Sequence, residues 1–180
     1  MNKIAMGLVV IPILLTLINM LRREASYISL GKVIKNHMSL FKQTKYQYVI
    51  FYIYPIFISI GIAYFTNPTD TFFEQENVVI SILISALLAI MSILISKNYE
   101  DVEEEYLQNI KAVLKETINA IIFDVSIGAA LMITNLIKIT INIDCEIVQK
   151  IFAGVTYYLF IVMILTILLI IKRLGNLIDS

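Results

Sequence analysis

Apolar residues fall along the chain in five long blocks separated by shorter polar stretches: about 4–21, 48–65, 78–95, 118–137 and 151–171. A helix needs about 20 predominantly apolar residues to cross the hydrocarbon core of a bilayer, and each block is about that long. The pattern predicts an all-α fold, a polytopic integral membrane protein with five transmembrane helices in a single membrane domain over residues 1–180. An alternative keeps four spans and lays block 4–21 in the membrane interface. A secretory signal is the competing reading of that block, because Met1-Asn2-Lys3 opens it with a positive charge. Its long apolar run ends without a small-x-small cleavage site and meets Arg22-Arg23 directly, which favours a retained helix.

The two longest polar segments, 22–46 and 97–116, carry helical patterns of their own. In the first, Leu30, Val33, Ile34, Met38 and Phe41 recur at three- and four-residue spacing, and Ser29 stands where a cap belongs. Such a helix is expected to lie on the inner leaflet, with Lys32, Lys35, Lys42 and Lys45 facing anionic headgroups or a soluble partner. His37 sits near the apolar stripe and reads as a packing or interfacial residue rather than a pH sensor. The second segment follows Asn98 with Glu100, Asp101, Glu103, Glu104 and Glu105, acids that favour a helix N-terminus. No glycine or proline stands between Asn98 and Ile127. One continuous helix of about 60 Å is therefore expected, roughly twice the hydrocarbon thickness. Its extension into the cytoplasm would bring Glu103, Glu104 and Glu105 within reach of the basic helix. Pro55 interrupts the second block and predicts a kink there.

Composition agrees with this reading: 59% of the 180 residues are hydrophobic and 16% charged, unlike a soluble domain. Fourteen basic and fourteen acidic side chains cancel, so no bulk charge points to nucleic acid. Their distribution is far from even. Segments 22–46 and 97–116 and the C-terminal tail hold eleven of the fourteen lysines and arginines. Loop 66–77 holds none, and carries Asp70, Glu74 and Glu76. Cytoplasmic loops retain positive charge, so the C-terminus is expected in the cytoplasm and, with five spans, the N-terminus outside. A bias to Ile, Lys and Asn points to an AT-rich bacterial genome, and hence to a plasma (inner) membrane.

Recognisable chemistry is scarce. The only cysteine is Cys145 and the only histidine His37, which excludes an intrachain disulfide and a multi-histidine metal site. GxSxG, HExxH, CxxC and phosphate-cradling glycine loops are missing, so neither metal, cofactor nor enzymatic activity is expected. The residue that stands out is Asp124, inside the fourth block, where an ionised carboxylate costs several kcal/mol unless it faces protein or water. Thr117, Asp124, Gly128 and Asn135 follow at spacings of seven, four and seven, forming one polar seam along a helix. No carboxylate is expected inside another span, which disfavours aspartyl chemistry. The third block has small residues at Ser81, Ser85, Ala89, Ser92 and Ser96, a stripe suited to close helix packing and a candidate surface to receive the seam.

The expected function is a non-enzymatic bacterial inner-membrane protein that self-associates and works with a cytoplasmic partner. By architectural analogy, that is a membrane subunit or effector of a defence or toxin-immunity-type system. The alternative is a small oligomeric channel or transporter, its path lined by the seam around Asp124.

Overall fold

In a computed structural model of the chain, the described residues are 30–41, 45–66, 68–96, 104–140 and 146–178. Block 4–21, Lys42 and Glu103 lie outside them, as do the side chains of Lys45, Glu104 and Glu105. The described residues form helices and no strand. They comprise α1 (Leu30–Ser39), α2 (Lys45–Tyr48), a π-helical turn (Val49–Ile53), α3 (Tyr54–Phe65), α4 (Asp70–Ser96), α5 (Glu104–Thr140) and α6 (Glu146–Ile178). Four stretches, Tyr46–Phe65, Asp70–Ser96, Leu107–Thr140 and Glu146–Asn176, are long and apolar enough to cross a membrane. They contain the second to fifth apolar blocks.

Where Pro55 predicts a kink, the backbone changes register. Proline has no N–H, and its ring crowds the carbonyl four residues back. The chain widens one turn just before it: the Tyr54 N–H bonds to the Val49 carbonyl, five residues back instead of four. Pro55 then sits in the first turn of α3, where its missing donor has no consequence.

The polar stretch 66–77 is mostly helix rather than the expected loop. Thr66 is extended, ending α3, and the Thr69 hydroxyl accepts from the Phe72 N–H at 3.4 Å to open α4. Asp70, Glu74 and Glu76 therefore occupy the first two turns of α4. The acids complement the helix dipole there, so polarity marks a helix start, not a gap between helices.

Packing follows seven-residue spacing. Phe73, Ile80, Leu87 and Leu94 of α4 are buried on one face, toward α5. Gly128 of α5 makes that approach possible: a Cβ there would lie 2.9 Å from Ile84 Cδ1 and 3.3 Å from Ile80 Cγ2. α5 in turn packs along α6, and α6 along α3, so α3 and α4 stand at opposite edges although only residues 66–69 separate them.

The stripe Ser81, Ser85, Ala89, Ser92 and Ser96 corrects an expectation. All five are exposed, about opposite the 73/80/87/94 face, and do not receive the α5 seam. Large aliphatic side chains bury more apolar area and take the intramolecular contact. Three of the stripe's four serines need no neighbour, since Ser81, Ser85 and Ser96 donate to carbonyls one turn back, at 2.8, 2.8 and 3.0 Å.

α1 also departs from the picture of a helix held by its aliphatic stripe. Ile34 and Met38 remain exposed, whereas His37 and Phe41 are buried. His37 stacks on Phe123 of α5, with centroids 3.7 Å apart and planes 7° from parallel, and its Nδ1 shares a 2.6 Å hydrogen bond with the Tyr52 hydroxyl. Phe41 closes the cluster against Phe51 at 4.7 Å. An imidazole is flat and half apolar, so it fills an aromatic slot that the hydrophobic period assigns to Ile or Met. Lys32 and Lys35 lie on the exposed side of α1.

Burial, and secondarily the positive charge of Arg173, lower the His37 pKa from 6.5 to about 4. The docked helix thus holds a neutral imidazole, while an undocked one takes up a proton near pH 6.5. Docking is at full strength above that value and weakens as pH falls from about 6.5 toward 4, by up to about 3 kcal/mol. Hydrogen exchange of the α1 amides should accelerate over that interval, and a His37→Phe variant should remove the dependence. A flat pH profile in the parent protein would contradict this account.

Candidate functional site: the polar face of α5

Thr117, Asp124, Gly128 and Asn135 are all buried on one face of α5, as their spacing predicts. Their surroundings differ. The Thr117 hydroxyl donates to its own helix, at the Val113 carbonyl 2.8 Å away. Asn135 reaches across: its amide donates to Glu76 Oε2 at 2.8 Å and to Asn77 Oδ1 at 3.0 Å, both on α4. Its own oxygen accepts from the Thr156 hydroxyl of α6 at 3.3 Å. One side chain therefore ties three long helices together. Just beyond it, Lys138 pairs with Asp70 at 3.3 Å.

Asp124 has no such partners. The residue is fully buried, and among the described residues neither carboxylate oxygen meets a hydrogen-bond donor. Buried Ala120, Ile121 and Leu131 stand on either side of it along the helix. Farther toward the α5 N-terminus, Glu116 accepts a 2.7 Å hydrogen bond from Arg173 of α6.

Glu76 is the member of this group that the sequence pattern hid. Assigned to a loop, it proves buried, with Oε2 held by Asn135 and Oε1 without a donor among the described residues. Extending the 73/80/87/94 period one turn would have placed Glu76 on the packed face, since it lies three residues after Phe73 and four before Ile80. A second carboxyl is thus present inside the bundle, contrary to expectation. The two do not form a dyad: Asn135, which holds Glu76, is eleven residues from Asp124, or about 16 Å along the helix axis.

Between these levels the interior is apolar. Ile80, Leu131 and Met163 form a buried cluster, and the Ile80 and Ile84 side chains close over Gly128. Other small or polar residues of α5 are self-contained or peripheral: Ser126 donates to the Ile122 carbonyl at 2.7 Å, and Asn119 and Ala130 are half-buried. Among the described residues no group of His, Cys, Asp and Glu is placed to hold a metal ion. Of the expected cytoplasmic contacts, Lys32 and Lys35 are exposed on α1. Lys42 and Glu103, and the Lys45, Glu104 and Glu105 side chains, fall outside the described residues.

No protein-family model, curated protein or solved structure matches this chain. The arrangement itself must therefore carry any functional argument.

As a clasp, Asn135 has a specific energetic signature. Replacing it with Leu leaves the buried Glu76 and the half-buried Asn77 without their donor, which costs about 1–3 kcal/mol. Thr156→Val removes a single long bond and should cost less than about 1 kcal/mol. Equilibrium unfolding in mixed detergent micelles, followed by loss of helicity, would compare them. Equal effects would contradict the role given to Asn135.

Proposed function

We propose that this chain is a non-enzymatic bacterial inner-membrane protein that self-associates in the bilayer and works with a cytoplasmic protein partner, as a membrane subunit or effector of a defence or toxin-immunity-type system. The observation that carries self-association is the outward stripe Ser81, Ser85, Ala89, Ser92 and Ser96 on α4. Small residues at this spacing let a second helix approach closely, and in lipid that close contact, rather than the hydrophobic effect, drives association.

The cytoplasmic half of the proposal draws on charge and length. Lysines and arginines concentrate on the side of α1, the α5 N-terminus and the C-terminal turns of α6, which supports a cytoplasmic position for that side. α5 starts at Glu104, fourteen residues before its apolar block begins at Ile118. That is about 20 Å of helix beyond the hydrocarbon, available to a soluble partner. With block 4–21 counted as a span, five helices cross and the N-terminus lies outside.

The channel reading calls for Asp124 from several copies to line one path. In this chain the Asp124 face is turned inward and fully buried, so a ring of that kind requires the bundle to open.

Cysteine scanning tests the proposal in native membranes, on a Cys145→Ser background. Ser81→Cys, Ser85→Cys and Ala89→Cys should give disulfide-linked dimers, and Ile80→Cys and Leu87→Cys should not. Dimers absent at all five positions would sink self-association through α4. Ion flux in proteoliposomes that disappears with Asp124→Asn would replace this reading by the channel.

A further inference from the structure

At the end of the bundle where α4 begins and α5 ends, polar oxygens from three helices converge on Asn135. Glu76 Oε2 and Asn77 Oδ1 lie 2.8 and 3.0 Å from its amide nitrogen, and the Thr156 hydroxyl lies 3.3 Å from its amide oxygen. Glu76 is only 6% exposed, and its second oxygen, Oε1, meets no donor among the described residues. Among those residues no cationic side chain pairs with it either. The lysines at this end pair elsewhere, Lys138 with Asp70 at 3.3 Å and Lys150 with Glu146 at 2.9 Å. A carboxylate taken out of water needs a counter-charge, and this one has only an amide.

A small cavity adjoins these oxygens. Its volume is about 20 Å³, room for one water-sized particle, and Phe73, Lys138 and Ala153 are among its lining residues. Each of the three stands three residues from a member of the cluster: Phe73 from Glu76 on α4, Lys138 from Asn135 on α5, and Ala153 from Thr156 on α6. On all three helices the step is toward the same end of the bundle. The cavity is thus offset from the oxygens by about 4–5 Å along the helix axes, on the side from which a small solute would arrive.

We propose that Glu76, Asn77 and Asn135 bind a monovalent cation the size of Na⁺, reached through this cavity, with Thr156 fixing the Asn135 amide. A half-turn of that amide exchanges its nitrogen and oxygen. Three oxygens, from Glu76, Asn77 and Asn135, then face one point. The amide NH2 turns to the Thr156 hydroxyl, which accepts as readily as it donates, so Thr156 keeps its partner. The ion takes the place of the two N–H donations and supplies the missing counter-charge, and the cavity holds a water to extend its shell. Oxygen ligands suit a hard cation, and one carboxylate matches a single charge. Ca²⁺, of nearly equal size, takes about six to eight oxygens. Among the described residues no group of three His, Cys, Asp and Glu is placed to hold such a metal. The site is independent of self-association through α4.

Binding of radioactive Na⁺ to the purified protein in micelles tests this, at an ionic strength held constant with N-methylglucamine. The parent should bind saturably, one ion per chain. Glu76→Gln keeps an acceptor for Asn135 but removes the charge, and should weaken binding at least about ten-fold. Glu74→Gln removes an exposed acid two residues away and should leave binding unchanged. Asn135→Asp adds a second carboxylate to the cluster, so Ca²⁺ should raise the thermal unfolding temperature of that variant and not of the parent. The proposal is overturned if the parent shows no saturable Na⁺ binding, if Glu76→Gln binds as the parent does, or if Glu74→Gln weakens binding equally. Stabilisation of the parent by acid, with no response to Na⁺, would show that Glu76 takes a proton instead and also overturns it. Should Glu76→Gln fail to fold, Asn135→Asp decides, and a Ca²⁺ response no larger than the parent's overturns the site.

Discussion

A polar side chain in hydrocarbon must find its partners within the protein, because no water competes for them. Asn135 meets that constraint by bonding to two helices at once, donating to Glu76 and Asn77 on α4 and accepting from Thr156 on α6. Those bonds hold α5 between its two neighbours at one end of the bundle. Along the rest of its length, the heptad-spaced aliphatics of α4 and the missing side chain at Gly128 keep the helices close. α3 then packs on α6 and α1 on α5, so α5 and α6 form the centre to which everything else attaches.

Much of this was legible in the residues. Long apolar runs marked four of the helices, and the stretch without glycine or proline after Asn98 marked the continuity of α5. The spacing of Thr117, Asp124, Gly128 and Asn135 foretold one buried face. The misreadings share a cause: each treated a residue's average preference as its address. Ser81 to Ser96 look like the surface that receives α5 because small residues favour close packing, yet isoleucine and leucine at 80, 87 and 94 bury more area and win that contact. Asp70 to Asn77 look like a loop because they are polar, yet they continue the packed face of α4. His37 looks secondary beside Ile34 and Met38, yet its flat ring matches Phe123 and its nitrogen matches Tyr52.

These corrections shift where function should be sought. With its polar face turned inward, α5 keeps Asp124 and Glu76 at separate levels divided by Ile80, Leu131 and Met163. Glu76 is tied to α5 through Asn135, whereas Asp124 meets no donor among the described residues. The surfaces left over are the small-residue face of α4, the open side of α3 and the extension of α5 beyond its apolar block. All three suit contact with other helices or proteins.

The central claim is that the polar face of α5 is sealed inside a single chain, and accessibility to water tests it most directly. In membrane vesicles on a Cys145→Ser background, Asp124→Cys would be exposed to a charged, membrane-impermeant thiol reagent from each side, with Lys35→Cys on α1 as the accessible reference. The account predicts that Lys35→Cys reacts from one side and Asp124→Cys from neither. Reaction at Asp124→Cys at a rate comparable to Lys35→Cys would reveal an aqueous path to the seam and contradict it.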